Sequence, residues 1–245
     1  MKQDRLRLAL MVLLLCLAAA SVAFAVKPLC FRMEKQAEIK TEVRKYMEVK
    51  ETVQKVSEEK QEPIPYAELL ADMMHYNMRL YTYKQRDLTS KSAYELSEFK
   101  LTDYGLPDEK FGVLAIPKME LEMPLFLGAS EDNMAAGAAV LSQTSIPIGG
   151  AATNAVIAGH RGWNGYPYFL DIEKLEEGDE VTITNLWETL RYEVTEIKII
   201  SPNDIGSILI RPGKDMITLL TCHPPNSGGK YRYLVFCERA EGTAK

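Results

Sequence analysis

The apolar, β-branched run Ile217-Thr218-Leu219-Leu220-Thr221 stops on Cys222, and ten residues on, Arg232 opens a second run, Tyr233-Leu234-Val235-Phe236. Upstream, Ala155-Val156-Ile157-Ala158-Gly159 stops on His160. A thiol, an imidazole and a guanidinium at the ends of three strand-like runs are a nucleophile, a proton-transfer partner and a fixed cation. If the three strands are neighbours, these side chains converge at one edge of a sheet.

The chemistry that suits them is acyl transfer through a thioester. A thiol attacks a carbonyl as the thiolate, and a cysteine at its ordinary pKa of about 8.5 is mostly neutral at pH 7. His160 can take the thiol proton and later hand it to a leaving amine. Negative charge grows on the attacked oxygen, and Arg232 offers a permanent cation with five donors in a rigid fork. Each residue alone also has a structural reading: a satisfied core histidine, a solvent-facing strand arginine, an inert thiol. His223 is a rival base, but consecutive strand residues point to opposite faces. The same alternation disfavours Arg161 as the cation, and Arg239 is a further candidate for it.

Other chemistries have less to stand on. Among 245 residues the net charge is −5, which is poorly suited to phosphate backbones. The four cysteines (Cys16, Cys30, Cys222, Cys237) show no CxxC spacing, and the three histidines form no H-E-x-x-H, so no metal or other cofactor is expected. Cys16 and Cys237 read as small buried hydrophobes.

The elements that must position these residues begin with an anchor. Leu8 to Val26 is a continuous apolar run preceded by Lys2, Arg5 and Arg7. As a helix its ~19 residues would cover ~28 Å, about the thickness of a bilayer's hydrocarbon core. The positive flank predicts a cytoplasmic N-terminus and an exported body. Ala23-Phe24-Ala25 also resembles a signal-peptide cleavage site, but apolar residues continue past it, and an uncleaved anchor over residues 1–30 is the preferred reading. Residues 31–62 are charged, and Ile39, Val43, Tyr46, Val49, Val53 and Val56 recur at helical steps. This predicts a solvated juxtamembrane stalk, with self-association through the thin stripe as the alternative.

Over 63–110 a second helix, with Leu69, Leu70, Met73, Met74, Asn77, Leu80 and Tyr81 on one face, leads into a polar connection from about residue 84. From Phe111 the character changes to short β-rich runs: Phe111–Ile116, Leu121–Leu127, Asn154–Gly159, Glu180–Thr184, Leu190–Ile200, Met216–Cys222 and Tyr231–Cys237. Turn residues separate them, which predicts a barrel or sandwich over 111–245. The alternation of Leu190–Ile200 slips at Glu196-Ile197, the mark of a bulge.

The segment Thr218 to Cys222 (T-L-L-T-C), followed by Arg232-Tyr233-Leu234-Val235, resembles the sortase signature T-L-x-T-C…R. Further segments fall in the right order: Ile116-Pro117-Lys118 with Met123-Pro124-Leu125, Asn154 to Gly162 (N-A-V-I-A-G-H-R-G), Phe169 to Asp179, and Pro212 to Asp215. The last two are typical of class C, the pilin-polymerising sortases. The resemblance covers roughly Phe111 to Arg239.

It implies a mostly β protein: a closed eight-stranded barrel preceded by N-terminal helices and a membrane anchor, on the surface of a Gram-positive-type bacterium. It implies a transpeptidase that cuts a sorting signal of the L-P-x-T-G type. Cys222 would be the nucleophile, His160 the acid/base partner and Arg232 the group that positions substrate and steadies the oxyanion, with Thr221 and Gly159 in contact with the bound peptide. The implied partners are sorting-signal-bearing surface or pilin proteins and an amine acceptor, a pilin lysine or a peptidoglycan precursor. Anchoring to the wall and simple peptide hydrolysis are the alternative activities, and a non-catalytic surface module is the third. Three departures from class C stand out. No Asp-Pro-aromatic plug occurs around Asp87-Leu88-Thr89, the chain ends in a polar stretch, and His223 to Lys230 replaces the usual Thr-Pro-Tyr-Gly.

Overall fold

A computed structural model describes residues 2–83, 85, 92–163 and 165–240 of the chain. Eight strands run as β1 (Lys110–Ile116), β2 (Leu121–Leu127), β3 (Ala138–Val140), β4 (Thr153–Ala158), β5 (Glu180–Thr184), β6 (Thr189–Ile200), β7 (Asp215–His223) and β8 (Tyr231–Arg239). They close into a barrel in the order β1-β2-β3-β4-β7-β8-β6-β5, with β5 pairing back onto β1. The β2–β3 and β4–β7 pairs are parallel and the remaining ones antiparallel. Closure removes the unpaired edges that an open sheet of apolar strands would expose.

Period-two alternation sorts the side chains of the three strands that matter most. Ala155 and Ile157 of β4, Ile217 and Leu219 of β7, and Val235 and Cys237 of β8 belong to the main core. Their even-numbered neighbours Val156, Ala158, Met216, Leu234 and Phe236 form a separate apolar cluster with Ile200 and Ile208. The two clusters lie on opposite faces of the barrel wall, as the pleat requires. The slip expected in β6 is a bulge at Thr195, where the register with β8 shifts between Val194 and Glu196.

The helices are α1 (Lys2–Glu59), α2 (Ala67–Tyr83), α3 (Ser92–Glu95) and α4 (Glu131–Ala136). α1 is continuous through Pro28, so the anchor and the charged segment are one helix. Its N-terminal turns are long and apolar enough to cross a membrane. The charged part is not a solvated stalk. Ile39, Val43 and Tyr46 are buried, α1 packs on β1 and β2, and the Tyr46 hydroxyl donates to the Phe111 carbonyl at 2.7 Å. Lys50 is buried as well, its ammonium donating to the Asn185 carbonyl. The thin apolar stripe, expected to lie in solvent or to pair with another copy, docks on the barrel wall instead. Burying Ile39 and Val43 contributes about 1.5–3 kcal/mol each before ordering costs.

α2 buries Leu69, Met73, Tyr76, Asn77 and Leu80, leaving Met74 and Tyr81 exposed. Asn77 fixes it to the barrel by donating to the Ile146 carbonyl and accepting from the Ile146 amide. The segment around Asp87-Leu88-Thr89 lies outside the described residues. Cys237 is wholly buried, whereas Cys16, expected to be buried, is exposed on the apolar turns of α1.

Candidate active site

β4 and β7 bring the imidazole to the thiol. The last ladder pair sets Ala158 opposite Leu220, and the Gly159 amide donates to the Leu220 carbonyl at 3.1 Å, carrying the pairing past the strand end. Two residues beyond that pair the chains reach His160 and Cys222. Adjacent strands lie about 4.8 Å apart, so the two side chains leave from neighbouring backbone positions. On the other flank of β7, Cys222 stands directly opposite Arg232 of β8. Such cross-strand pairs share a face, with Cβ atoms about 5 Å apart. All three residues carry even numbers and continue the outer face of the wall.

Gly229 measures the closeness of thiol and guanidinium. A Cβ on this residue would lie 3.4 Å from the Cys222 sulfur and 2.8 Å from Arg232 Nη1, so both groups border the same small space. The backbone there has φ +81°, a region open chiefly to glycine. Arg232 Nη1 donates to the Gly229 carbonyl at 2.7 Å and to the Tyr231 carbonyl at 3.2 Å. The loop between β7 and β8 thus holds one arm of the fork in place.

His160 is bracketed by two aromatics that sequence reasoning missed. Trp163 stacks on it at 5.0 Å between ring centroids, and Tyr168 meets it edge-on at 5.6 Å. The Tyr168 hydroxyl donates to the Ala135 carbonyl, and the Phe169 amide donates to the His160 carbonyl. Burial lowers the imidazole pKa from its ordinary 6.5, favouring the neutral form that accepts a proton. The run Trp163 to Tyr168 follows His160 closely, but a loop has no period to say which aromatics turn back.

Thr221 and Gly159, expected in contact with substrate, are placed as braces. Thr221 is 1% exposed, and its hydroxyl donates to the Gly159 carbonyl at 2.7 Å. Gly159 lies under the Phe169 ring, which a Cβ would meet at 2.7 Å. Neither presents a side chain to an incoming peptide. His223 and Arg161 sit on the inner face, where both approach Glu173. Arg239 pairs with Tyr192 at the far end of β8, within 3.5 Å of Glu188. Seven strand residues, about 23 Å, separate it from Arg232.

An exposed thiol flanked by an imidazole and a guanidinium on one barrel wall can form and discharge a thioester. Comparison with known proteins points the same way. A family model described as the sortase domain matches residues 114–240. The chain is 27% identical to sortase A of Streptococcus agalactiae serotype III over 182 residues, covering 67% of this chain and 72% of that protein. Among solved structures, sortase C1 of GBS pilus island 1 superposes with a TM-score of 0.69 at 25% identity, covering 82% of this chain and 98% of that one. Streptococcus pneumoniae sortase C, a structure that bears on catalysis and pilin substrate specificity, gives a TM-score of 0.57 at 28% identity, covering 80% of this chain and 99% of that one.

Proposed function

The chain belongs to the sortase family of cysteine transpeptidases, and we propose that it cuts an L-P-x-T-G-like sorting signal and joins the acyl fragment to a pilin lysine. The observation that carries the reading is the convergence of Cys222, His160 and Arg232 from the ends of three neighbouring strands.

Cys222 passes its proton to His160, and the sulfur attacks the threonine carbonyl carbon. The oxygen that gains the electron pair lies toward the Arg232 fork. When the tetrahedral species collapses, the Thr–Gly C–N bond breaks and His160 returns its proton to the leaving glycine amine. The threonyl thioester waits for a lysine amine, which attacks the same carbon and gives its proton back through His160. The new amide forms, the C–S bond breaks and the thiol is restored. No net oxidation or reduction occurs, and an isopeptide bond to lysine replaces the Thr–Gly peptide bond.

Lys2, Arg5 and Arg7 precede the apolar turns of α1, supporting a cytoplasmic N-terminus and a catalytic domain outside the membrane. The solved pilus-related neighbours favour a pilin lysine as acceptor. Likeness to a sortase A supports a second reading, in which the acceptor is a peptidoglycan precursor.

Mass spectrometry of the purified protein with a panel of sorting peptides tests the first half-reaction. An acyl adduct on Cys222 is expected, and its mass reads out the cleaved motif. Incubation with a candidate pilin tests the second half: a ladder of covalent multimers supports the lysine acceptor, and wall attachment without a ladder supports anchoring. Turnover that added hydroxylamine leaves unchanged would favour simple hydrolysis.

A further inference from the structure

Arg161, His223 and Tyr233 directly follow His160, Cys222 and Arg232 in the chain. Strand alternation turns His223 of β7 and Tyr233 of β8 to the other face of the wall, and Arg161, in the bend just past β4, is buried on that side. There they meet. Arg161 Nη2 lies 2.7 Å from Glu173 Oε1, and His223 Nδ1 lies 3.2 Å from the same oxygen. The His223 contact is a close polar approach, off the line of a well-formed hydrogen bond. The Arg161 guanidinium also sits 5.5 Å from the centre of the Tyr233 ring, and the His223 ring lies 5.6 Å from it.

The Arg161 side chain is only 4% exposed, with Nε and Nη1 unpartnered. Glu173, which lies in a short 3-10 turn, is half exposed and, among the described residues, is the carboxylate paired with that cation. A buried guanidinium needs a counter-charge, so Glu173 holds it, and through it the strand end that carries His160.

We propose that Glu173 is a positioning residue: by binding Arg161 and His223 behind the barrel wall, it fixes the spacing of His160 and Cys222 in front of it. This rests on the Cys222–His160 reading above. A displacement of about 1 Å at a reacting pair can cost on the order of 100-fold in rate, which sets the scale of the expected effect.

The test is single-turnover acylation of the full-length protein by a sorting peptide, for wild type, Glu173→Gln, Glu173→Asp and, as control, Glu177→Gln, an exposed carboxylate outside the cluster. Glu173→Gln should acylate roughly 10- to 100-fold more slowly at saturating peptide, with half-saturation unchanged. Asp should recover part of the rate, and Glu177→Gln should match wild type. A Glu173→Gln enzyme as fast as wild type, or an Asp enzyme no faster than Gln, would overturn the proposal. So would a loss confined to half-saturation, because Glu173 would then be touching substrate.

Should Glu173→Gln fold poorly, His223→Gln gives a second route, with a smaller loss of the same kind expected and a full rate counting against the tie. Combined with Glu173→Gln, its loss should be less than multiplicative, since the two share one contact. Wild type that forms no adduct would instead sink the thioester reading itself.

Discussion

Thr221 donates its hydroxyl hydrogen to the Gly159 carbonyl at 2.7 Å, joining the residue before the thiol to the residue before the imidazole. Both groups are buried, so the carbonyl has no water to turn to if the hydroxyl is removed. Thr221→Val keeps the shape and deletes the donor. It should lower stability by about 1–3 kcal/mol, the cost of an unsatisfied buried acceptor. Urea unfolding measures the loss, and acylation should slow even under fully folded conditions. An unchanged acylation rate would mean that the strand ends keep their alignment without this bond.

Gly229→Ala and Gly228→Ala separate backbone strain from crowding. Both glycines have positive φ, +81° and +67°, so alanine strains each by an amount of order 1 kcal/mol. Only at Gly229 does the new methyl carbon meet the guanidinium, 2.8 Å from Arg232 Nη1; at Gly228 nothing lies within 4 Å. The two variants should therefore unfold at similar urea concentrations, while Gly229→Ala alone loses most of its acylation rate.

Arg232→Lys tests the fork. One guanidinium nitrogen is tied to the Gly229 and Tyr231 carbonyls, leaving the rest of the group to face a developing oxyanion. An ammonium is a point charge and cannot reproduce a fixed fork. Acylation should fall by about 100-fold or more, the scale of losing an oxyanion donor. Near-normal turnover would remove Arg232 from the role proposed for it.

Which parts of this arrangement could be read in the chain follows from periodicity. Seven strands announced themselves because β-rich, apolar runs of five residues or more are bounded by turn residues. β3, only Ala138–Val140, is too short to show a period and becomes a strand through its neighbours β2 and β4. Cys222, His160 and Arg232 were legible because each ends or begins such a run. Trp163 and Tyr168 were not, since they lie in a loop whose path is set by contacts with Phe169 and Ala135. The docking of α1 was hidden for a related reason: an amphipathic stripe says which face is apolar but not what covers it. Glu173 belongs to a short 3-10 turn among several acidic residues, and only the fold sets it apart from Glu176 and Glu177.

The two ordered cysteines of the barrel should behave oppositely. Cys222 is exposed, whereas Cys237 is wholly buried in the core and burial pushes its pKa far above the ordinary thiol value. Iodoacetamide should label Cys222 in the native protein and reach Cys237 only after denaturation, which peptide mapping distinguishes. Cys222→Ala should abolish adduct formation with sorting peptides, while Cys237→Ala should keep most turnover and lose about 1–2 kcal/mol from imperfect packing.

The imidazole of His160 gives the protein a pH dependence whose sign is fixed. Burial lowers its folded pKa below the 6.5 of an unconstrained histidine. Above pH 6.5 neither the folded nor the unfolded chain protonates this group, and it contributes nothing to the slope of stability. Between 6.5 and the lower folded value the unfolded state binds the proton first, so stability falls as the pH drops through that window. Replacing the ring by an amide removes this contribution while leaving every other titrating group in place. The difference in Tm between wild type and His160→Gln should therefore shift against wild type as the buffer goes from pH 7.5 to pH 5. In activity, the acid limb of kcat/KM should show its inflection below 6.5, because His160 must be neutral to take the thiol proton. An inflection above 6.5 would require a partner that stabilises the imidazolium in the free enzyme, and the bracketing by Trp163 and Tyr168 would then be the wrong account of this site.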